Sequence, residues 1–194
     1  MKEYYDTRAP EYDEWWLGRG RFAERARPGW DDELAEVAEL LRGLAPVRTL
    51  DVACGTGFIT QHLPGEVVGF DQSARMLVEA ERRLPALTFV QGDALQLPFP
   101  DGSFDRLFTS YFYCHLEEDD RVRFLAEAHR VAGELIVMGS HAEEGEAREY
   151  WDERILNDGS RWQVYKRVFD PEALAAELNG RVLHAGRWFV LVRS

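Results

Sequence analysis

With 194 residues, 45% of them hydrophobic and 30% charged, the chain is long enough to bury one core, and its composition is that of an ordinary globular domain. A formal net charge of −12 argues against a general nucleic-acid binder, whose affinity comes largely from neutralising phosphates, and no apolar run approaches the length of a membrane span. The stretch Met1 to Trp16 is acidic and aromatic, so no signal peptide is expected, and Cys54 and Cys114 lack metal-ligand or disulfide-framework spacing, which points to a reduced, cytoplasmic protein.

From Asp31 onward, Leu34, Val37, Leu41 and Leu44 recur at three- and four-residue steps, which predicts an amphipathic helix capped by Asp31 or Asp32 and stopped before Pro46. Short apolar runs follow at Thr49–Ala53, Val67–Phe70, Thr88–Val90, Phe104–Thr109 and Leu135–Met138; each is too short for a helix and reads as a buried strand. Between them, Ser73 caps a helix carrying Met76, Leu77, Ala80 and Leu84, with Glu79 and Arg83 as an outward pair. Glu117 to Val131 reads as a helix with acids in its first turn and Val122, Leu125 and Ala126 inward. The acidic runs Glu117–Asp120 and Glu143–Glu146 read as solvated helix starts. Asp170-Pro171 opens a last helix with Leu174 and Leu178 as its seam and Gly180 as its stop. Two final strands, about Arg181–His184 and Trp188–Val192, form an antiparallel hairpin. The alternation predicts a single α/β domain with a Rossmann-like, doubly wound, mostly parallel seven-stranded sheet.

The run LDVACGTG, Leu50 to Gly57, is a strand ending in an acid that enters a glycine turn opening a helix. Small residues at Ala53, Gly55 and Gly57 let a ligand approach the backbone. Asp71 ends the next strand, 71 − 51 = 20 residues after Asp51, where a carboxylate accepts both hydrogen bonds of a ribose diol. A dinucleotide fingerprint needs a third glycine, and Thr60 stands in its place; Asp51, ahead of the loop, repels phosphates and suits an ammonium group. The pattern favours a cationic nucleoside, S-adenosylmethionine, over NAD.

With these residues the chain resembles the class I S-adenosylmethionine-dependent methyltransferases, in particular the small-molecule branch around ubiquinone and menaquinone biosynthesis. LDVACGTG is similar to the family's glycine motif, with Ala53 in place of its first glycine; VVGFDQSARML (67–77) is similar to the ribose-binding strand end; QGDALQLPFPDGSFD (91–105) to the adenine-contacting acid and its loop; FTSYFYCHL (108–116) to the segment beneath the methionine portion; and YYDTRAPEYDEWW (4–16) to the cover segment. The resemblance implies that Asp51 and Ala53 hold the methionine amino group, Asp71 the ribose, Gln72 and Met76 flank the adenine, Asp93 and the Ala94 N–H bind its edge, and Ser110 and Tyr12 touch the methionine end.

The reaction expected is methyl transfer to a small organic acceptor by in-line displacement, with S-adenosylhomocysteine as product. Two alternatives are a non-catalytic S-adenosylmethionine-binding protein and a dinucleotide-dependent oxidoreductase. Such a transfer needs no general base; His115 is the best candidate for one, His141 a weaker one, and of Tyr111 and Tyr113 one is expected to pack under the sheet. Ser110-Tyr111-Phe112-Tyr113 is neither the Pro-Pro-aromatic nor the Pro-Cys signature of base-modifying enzymes, no acid ends that strand to support a metal, and no nucleic-acid partner is expected. Aromatic residues gather at 1–30 (Tyr4, Tyr5, Trp15, Trp16, Phe22, Trp30) and around 143–161 (Tyr150, Trp151, with Trp162 just beyond), which suggests a cover segment and a lid insertion closing an apolar or aromatic acceptor pocket.

Overall fold

The computed structural model describes residues 1–142 and 148–194. The chain opens with α1 (Lys2–Arg8), α2 (Tyr12–Leu17) and α3 (Trp30–Arg42). The alternating body follows: β1 (Thr49–Val52), β2 (Val67–Asp71), α4 (Ala74–Arg83), β3 (Thr88–Gln91), β4 (Phe104–Ser110), α5 (Glu118–Val131) and β5 (Ala132–Ser140). A hairpin, β6 (Glu149–Ile155) and β7 (Arg161–Arg167), precedes α6 (Pro171–Glu177) and the closing strands β8 (Arg181–Ala185) and β9 (Phe189–Arg193).

Seven strands form one sheet in the order β3-β2-β1-β4-β5-β9-β8, with β1 to β5 parallel and β9 and β8 antiparallel. This is the Rossmann-like sheet with an antiparallel C-terminal pair that the alternation predicted. Every residue of β1 and β2 is buried, as continuous apolar strands covered on both faces should be. Strand order reverses between β1 and β4, so the loops leaving their carboxyl ends diverge and open a crevice there. None of the described helices is long and apolar enough to cross a membrane.

Several local expectations are corrected. The glycine turn opens no α-helix; only the three-residue turn Thr60–His62 separates it from β2. Gly29 caps α3, and Asp31 and Asp32 lie inside its first turn. Ser73 does cap α4, accepting from the Met76 amide at 3.2 Å, but Arg83 turns inward and Glu79 pairs with Arg82 instead. On α5 the buried stripe is Phe124, Ala128 and Val131, while Val122 is exposed. The last helix does stop ahead of Gly180, with Asn179 taking the left-handed conformation and the Gly180 amide donating to the Ala175 carbonyl at 2.8 Å. The acidic run 143–146 lies outside the described residues, as does part of the expected lid.

The β6–β7 hairpin was not anticipated as strands. Its pairing sets Tyr150 against Lys166, Asp152 against Val164 and Arg154 against Trp162, so these side chains share one face. The N-terminal segment meets it: Tyr4 packs with Leu156, Val164 and Trp162, and the Asn157 amide donates to Glu11 Oε2 at 2.8 Å.

Candidate active site

The loop after β1 is built from left-handed residues. Ala53, Gly55 and Gly57 have φ of 59°, 55° and 75°, so Ala53 carries the strain that glycine would avoid at its position, of order 1–2 kcal/mol. The loop is tied to the end of β2 by Asp71, whose Oδ2 accepts from the Gly55 amide at 2.9 Å and whose Oδ1 accepts from the Ser73 amide at 2.8 Å. Burial outweighs these hydrogen bonds and pushes the Asp71 carboxyl up to about 6.

A cavity of about 290 Å³ opens where β1, β2 and β4 end. Nine of the eleven residues expected to hold the cofactor line it: Tyr12, Ala53, Gly55, Asp71, Gln72, Met76, Asp93, Ala94 and Ser110. His115 lines it as well. Asp93 is also a turn residue, its Oδ1 accepting from the Leu95 amide at 2.9 Å, and Met76 is a buried core residue of α4. The remaining two do not line it. A side chain at Gly57 would press on Leu84 and Ala80, so glycine there serves close packing of the loop on α4. Asp51 is buried in β1; Thr60 Oγ1 donates to its Oδ2 at 2.6 Å, while Oδ1 has no hydrogen-bond partner among the described residues. Burial pushes the Asp51 carboxyl up to about 7.

The cover of this cavity rests on acids that sequence reasoning missed. Ser73 Oγ donates to Asp6 at 2.6 Å, Thr56 Oγ1 donates to Asp13 at 2.6 Å, and Arg83 joins Asp13 to the Thr56 carbonyl. The only available signal was the run of acids among the aromatics of residues 4–16. Through these contacts α1 and α2 are held on the glycine loop and on α4, and the Tyr12 ring sits against Gly55.

A second cavity, of about 570 Å³, shares the wall made by Tyr5, Tyr12, Tyr111 and His115. Tyr111 holds its place in this wall with a φ of 53°, unusual for so bulky a residue. Tyr4, Trp15, Trp30 and Tyr150 add aromatic surface, whereas Trp16, Phe22, Trp151 and Trp162 do not line it. The pocket is aromatic as expected but not apolar, because six cationic side chains also face the space: Arg8, Arg25, Arg27, Arg154, Lys166 and Arg187. Those residues come from distant parts of the chain, and no local pattern announced their convergence.

His115 stands between the cavities. A carbonyl can only accept, so the 2.7 Å contact of Nδ1 with the Tyr165 carbonyl places the proton on Nδ1 and leaves Nε2 as the acceptor. Burial lowers its pKa to about 4, with Arg154, Lys166 and Arg8 adding to the effect, so the ring is neutral at pH 7. Of the two tyrosines, Tyr113 packs beneath the sheet and donates to Glu177. Cys114 is buried, and burial pushes its thiol up to about 12, which leaves it inert. His141 lines only the larger cavity, with Nδ1 on the Gly186 carbonyl.

The smaller cavity carries the carboxyl groups of Asp71, Asp93 and Asp120 and, among the described residues, no lysine or arginine. It suits a cationic ligand. A pyrophosphate would meet these acids and find no helix N-terminus at the glycine loop.

Comparison with known proteins agrees with this chemistry. A family model described as a methyltransferase domain matches residues 50–134. Demethylmenaquinone methyltransferase of Thermotoga maritima is 37% identical over 110 residues, which are 53% of this chain and 47% of that protein. The enzyme of the same name from Deinococcus radiodurans is 33% identical over 150 residues, 71% of this chain and 59% of its own. The chain thus spans about half the length of the curated relatives it matches. Among solved structures, one described as the DhpI-SAM-HEP complex superposes with a TM-score of 0.79 at 25% identity, over 98% of this chain and 94% of that one.

Proposed function

We propose that the chain is a class I S-adenosylmethionine-dependent methyltransferase, similar to the demethylmenaquinone methyltransferases, and that it transfers a methyl group from S-adenosylmethionine to a small organic acceptor. The observation that supports this most strongly is the convergence of nine motif residues on one acid-lined cavity at the strand-order reversal. The residues present fit the cofactor. Asp71 offers carboxylate oxygens for a ribose diol, Asp93 and the Ala94 amide offer an acceptor and a donor for an adenine edge, and Gln72 and Met76 flank that position. Tyr12 and Ser110 bound the methionine end. Asp51 Oδ1, buried and without a hydrogen-bond partner among the described residues, supports a role for this carboxyl toward the amino group.

When bound, the cofactor supplies an already activated methyl on a sulfonium. The chain's own part is alignment and exclusion of water, and well-oriented reactants gain about 7–11 kcal/mol from such placement. Tyr5, Tyr12 and Tyr111 form the partition through which acceptor and methyl must meet, with α1 and α2 as cover and the β6–β7 hairpin as lid over the acceptor side. His115 offers the Nε2 lone pair there and serves as proton acceptor for acceptors that must lose one. A general base of this kind contributes about 10²–10⁴-fold.

Calorimetric titration with S-adenosylhomocysteine tests the reading. Asp71→Asn should weaken binding roughly 10- to 100-fold, the value of charge-assisted hydrogen bonds, and should lower the melting temperature by a few degrees, because its NH2 group cannot accept from the Gly55 or Ser73 amide. His115→Ala should bind as the unaltered protein does. Unchanged affinity in Asp71→Asn would refute the assignment.

A further inference from the structure

We infer that the acceptor carries an oxyanion, a carboxylate or a phosphate-type group, and that the cationic cluster of the larger cavity is built to bind it. The inference rests on the methyl-transfer reading above, because it names the class of molecule that reaction would act on.

The charge distribution carries the argument. The chain holds 35 acidic and 23 basic residues, yet the larger cavity gathers six of the cations and, among the described residues, one carboxylate, Asp152. Four separate parts of the chain contribute: Arg8 from α1, Arg25 and Arg27 from the segment before α3, Arg154 and Lys166 from one face of the hairpin, and Arg187 from the turn between β8 and β9. Like charges brought together from distant segments repel, and that arrangement makes physical sense when an anion completes it.

How these arginines are held points the same way. Elsewhere in the molecule arginines meet carboxylates: Arg106 meets Glu134, Arg130 meets Glu127 and Asp101, and Arg167 meets Glu177. At the cavity, neutral groups hold three of the six. Arg8 donates to the Tyr4 hydroxyl at 2.8 Å and lies 4.8 Å from the Tyr12 ring centre; Arg27 donates to the Trp15 carbonyl at 2.6 Å and lies over Trp30; Arg187 lies over Trp188. Aromatic faces and carbonyls orient a guanidinium without cancelling its charge. Arg154 is ion-paired, at 2.8 Å from Asp152. A planar guanidinium fork matches the oxygens of carboxylates and phosphates.

Position ties the cluster to the reaction. Arg8 stacks on Tyr12, part of the wall shared with the cofactor cavity, and Arg154 and Lys166 face the same space as His115 in that wall. A volume of about 570 Å³ lies within the range of small-molecule sites and leaves room for an aromatic body against Trp15 and Trp30.

The experiment uses the full chain saturated with S-adenosylhomocysteine and three probes of one shape: benzoate, phenyl phosphate and the neutral benzamide. Calorimetry should show at least one anion binding about tenfold or more tightly than benzamide, as charge-assisted hydrogen bonds require. The ratio between benzoate and phenyl phosphate then separates planar from tetrahedral recognition. Arg8→Gln and Arg154→Gln should each remove most of that preference, and Arg154→Gln should keep full affinity for S-adenosylhomocysteine. Anion binding should also raise the His115 pKa, read from its ring proton shifts by NMR. Benzamide binding as well as both anions, or both arginine variants keeping the preference, would overturn the inference. Failure of S-adenosylhomocysteine to bind while the anions still do would strike the cofactor reading and leave the anion site standing.

Discussion

Across the wall of Tyr5, Tyr12, Tyr111 and His115, the smaller cavity presents carboxyl groups from a strand end, a loop and the first turn of α5, whereas the larger presents guanidinium and ammonium groups from the N-terminal segment, the hairpin and the last turn. Of the first set, Asp71 and Asp93 sit at or just beyond the carboxyl ends of parallel strands of the sheet, and Asp120 opens the helix α5. The second is attached to segments laid over that sheet. On the proposed reading, the contrast separates what a Rossmann-like framework does for a cationic nucleoside from what this chain adds to choose an acceptor. It also gives opposite signs of charge to the two sides of the proposed transfer, which suits a sulfonium on one side and an anion on the other.

The wall itself is the most sensitive part of the comparison, because both cavities depend on it. Trp16 backs it. Its ring stacks on Phe58 at 5.0 Å between centroids, meets Tyr111 edge-on at 5.3 Å, and its carbonyl accepts from the Trp30 indole at 3.1 Å. Trp16→Ala should cost about 3–5 kcal/mol of stability in denaturant unfolding, the range for removing a large buried aromatic. It should also weaken ligand binding on both sides of the wall, whereas Asp71→Asn should affect only the cofactor side. A loss on one side alone would mean that the cavities are supported independently.

The difference in charge predicts a difference in pH behaviour. Asp51 and Asp71 are pushed up to about 7 and about 6 by burial, from an unfolded value of 3.8. The folded, ligand-free protein therefore holds more protons at these groups than the unfolded chain does. Their contribution to stability is present below about pH 4 and is lost as pH rises through 6 and 7. A bound cation favours the ionised carboxylates, so binding expels protons. Affinity for S-adenosylhomocysteine should rise by up to about tenfold per pH unit between roughly pH 5 and 7 and then level off. Arginines do not titrate in that range, and benzoate affinity should stay nearly flat. Calorimetry across buffers of different ionisation enthalpy reads both trends, and a flat cofactor curve would remove the two acids from the binding process.

The same contrast explains what was legible in the sequence. The cofactor side is written locally: short apolar strands, an acid at each strand end, a glycine turn and a serine cap are patterns of a few consecutive residues. Motif resemblance then brought Tyr12, Asp93 and Ser110 to the same place, and the structure gathers them around one cavity. Errors arose where two local solutions compete. On α5, Leu125 and Phe124 offer stripes one residue apart, and packing on the sheet selected Phe124, Ala128 and Val131. The acceptor side was illegible because it is non-local. Arg8 and Arg187 are separated by almost the whole chain, and charged residues such as Asp152 and Arg154 read as solvent-facing until the strand pairing is known. Glu149 to Ile155 alternates correctly for a half-buried strand, but its inward positions are charged or tyrosine, so a hydrophobic search passes over it.

The two faces of that hairpin supply the smallest expected effect and a control for all the others. Tyr150, Asp152 and Arg154 turn toward the cavity, while Trp151 points away, 61% exposed, with a ring contact to Tyr165 at 5.8 Å. Strand alternation makes neighbours in sequence opposites in environment. Trp151→Ser should therefore change stability by less than about 0.5 kcal/mol, the range for an exposed site, and leave the affinities for S-adenosylhomocysteine and benzoate unchanged. A loss of benzoate affinity in Trp151→Ser comparable to that in Arg154→Gln would mean that the hairpin registers differently from the pairing of Arg154 with Trp162. It would then be the outer face, with its acids Glu149 and Glu153, that closes over the acceptor, and the cationic lining would lose two of its six members.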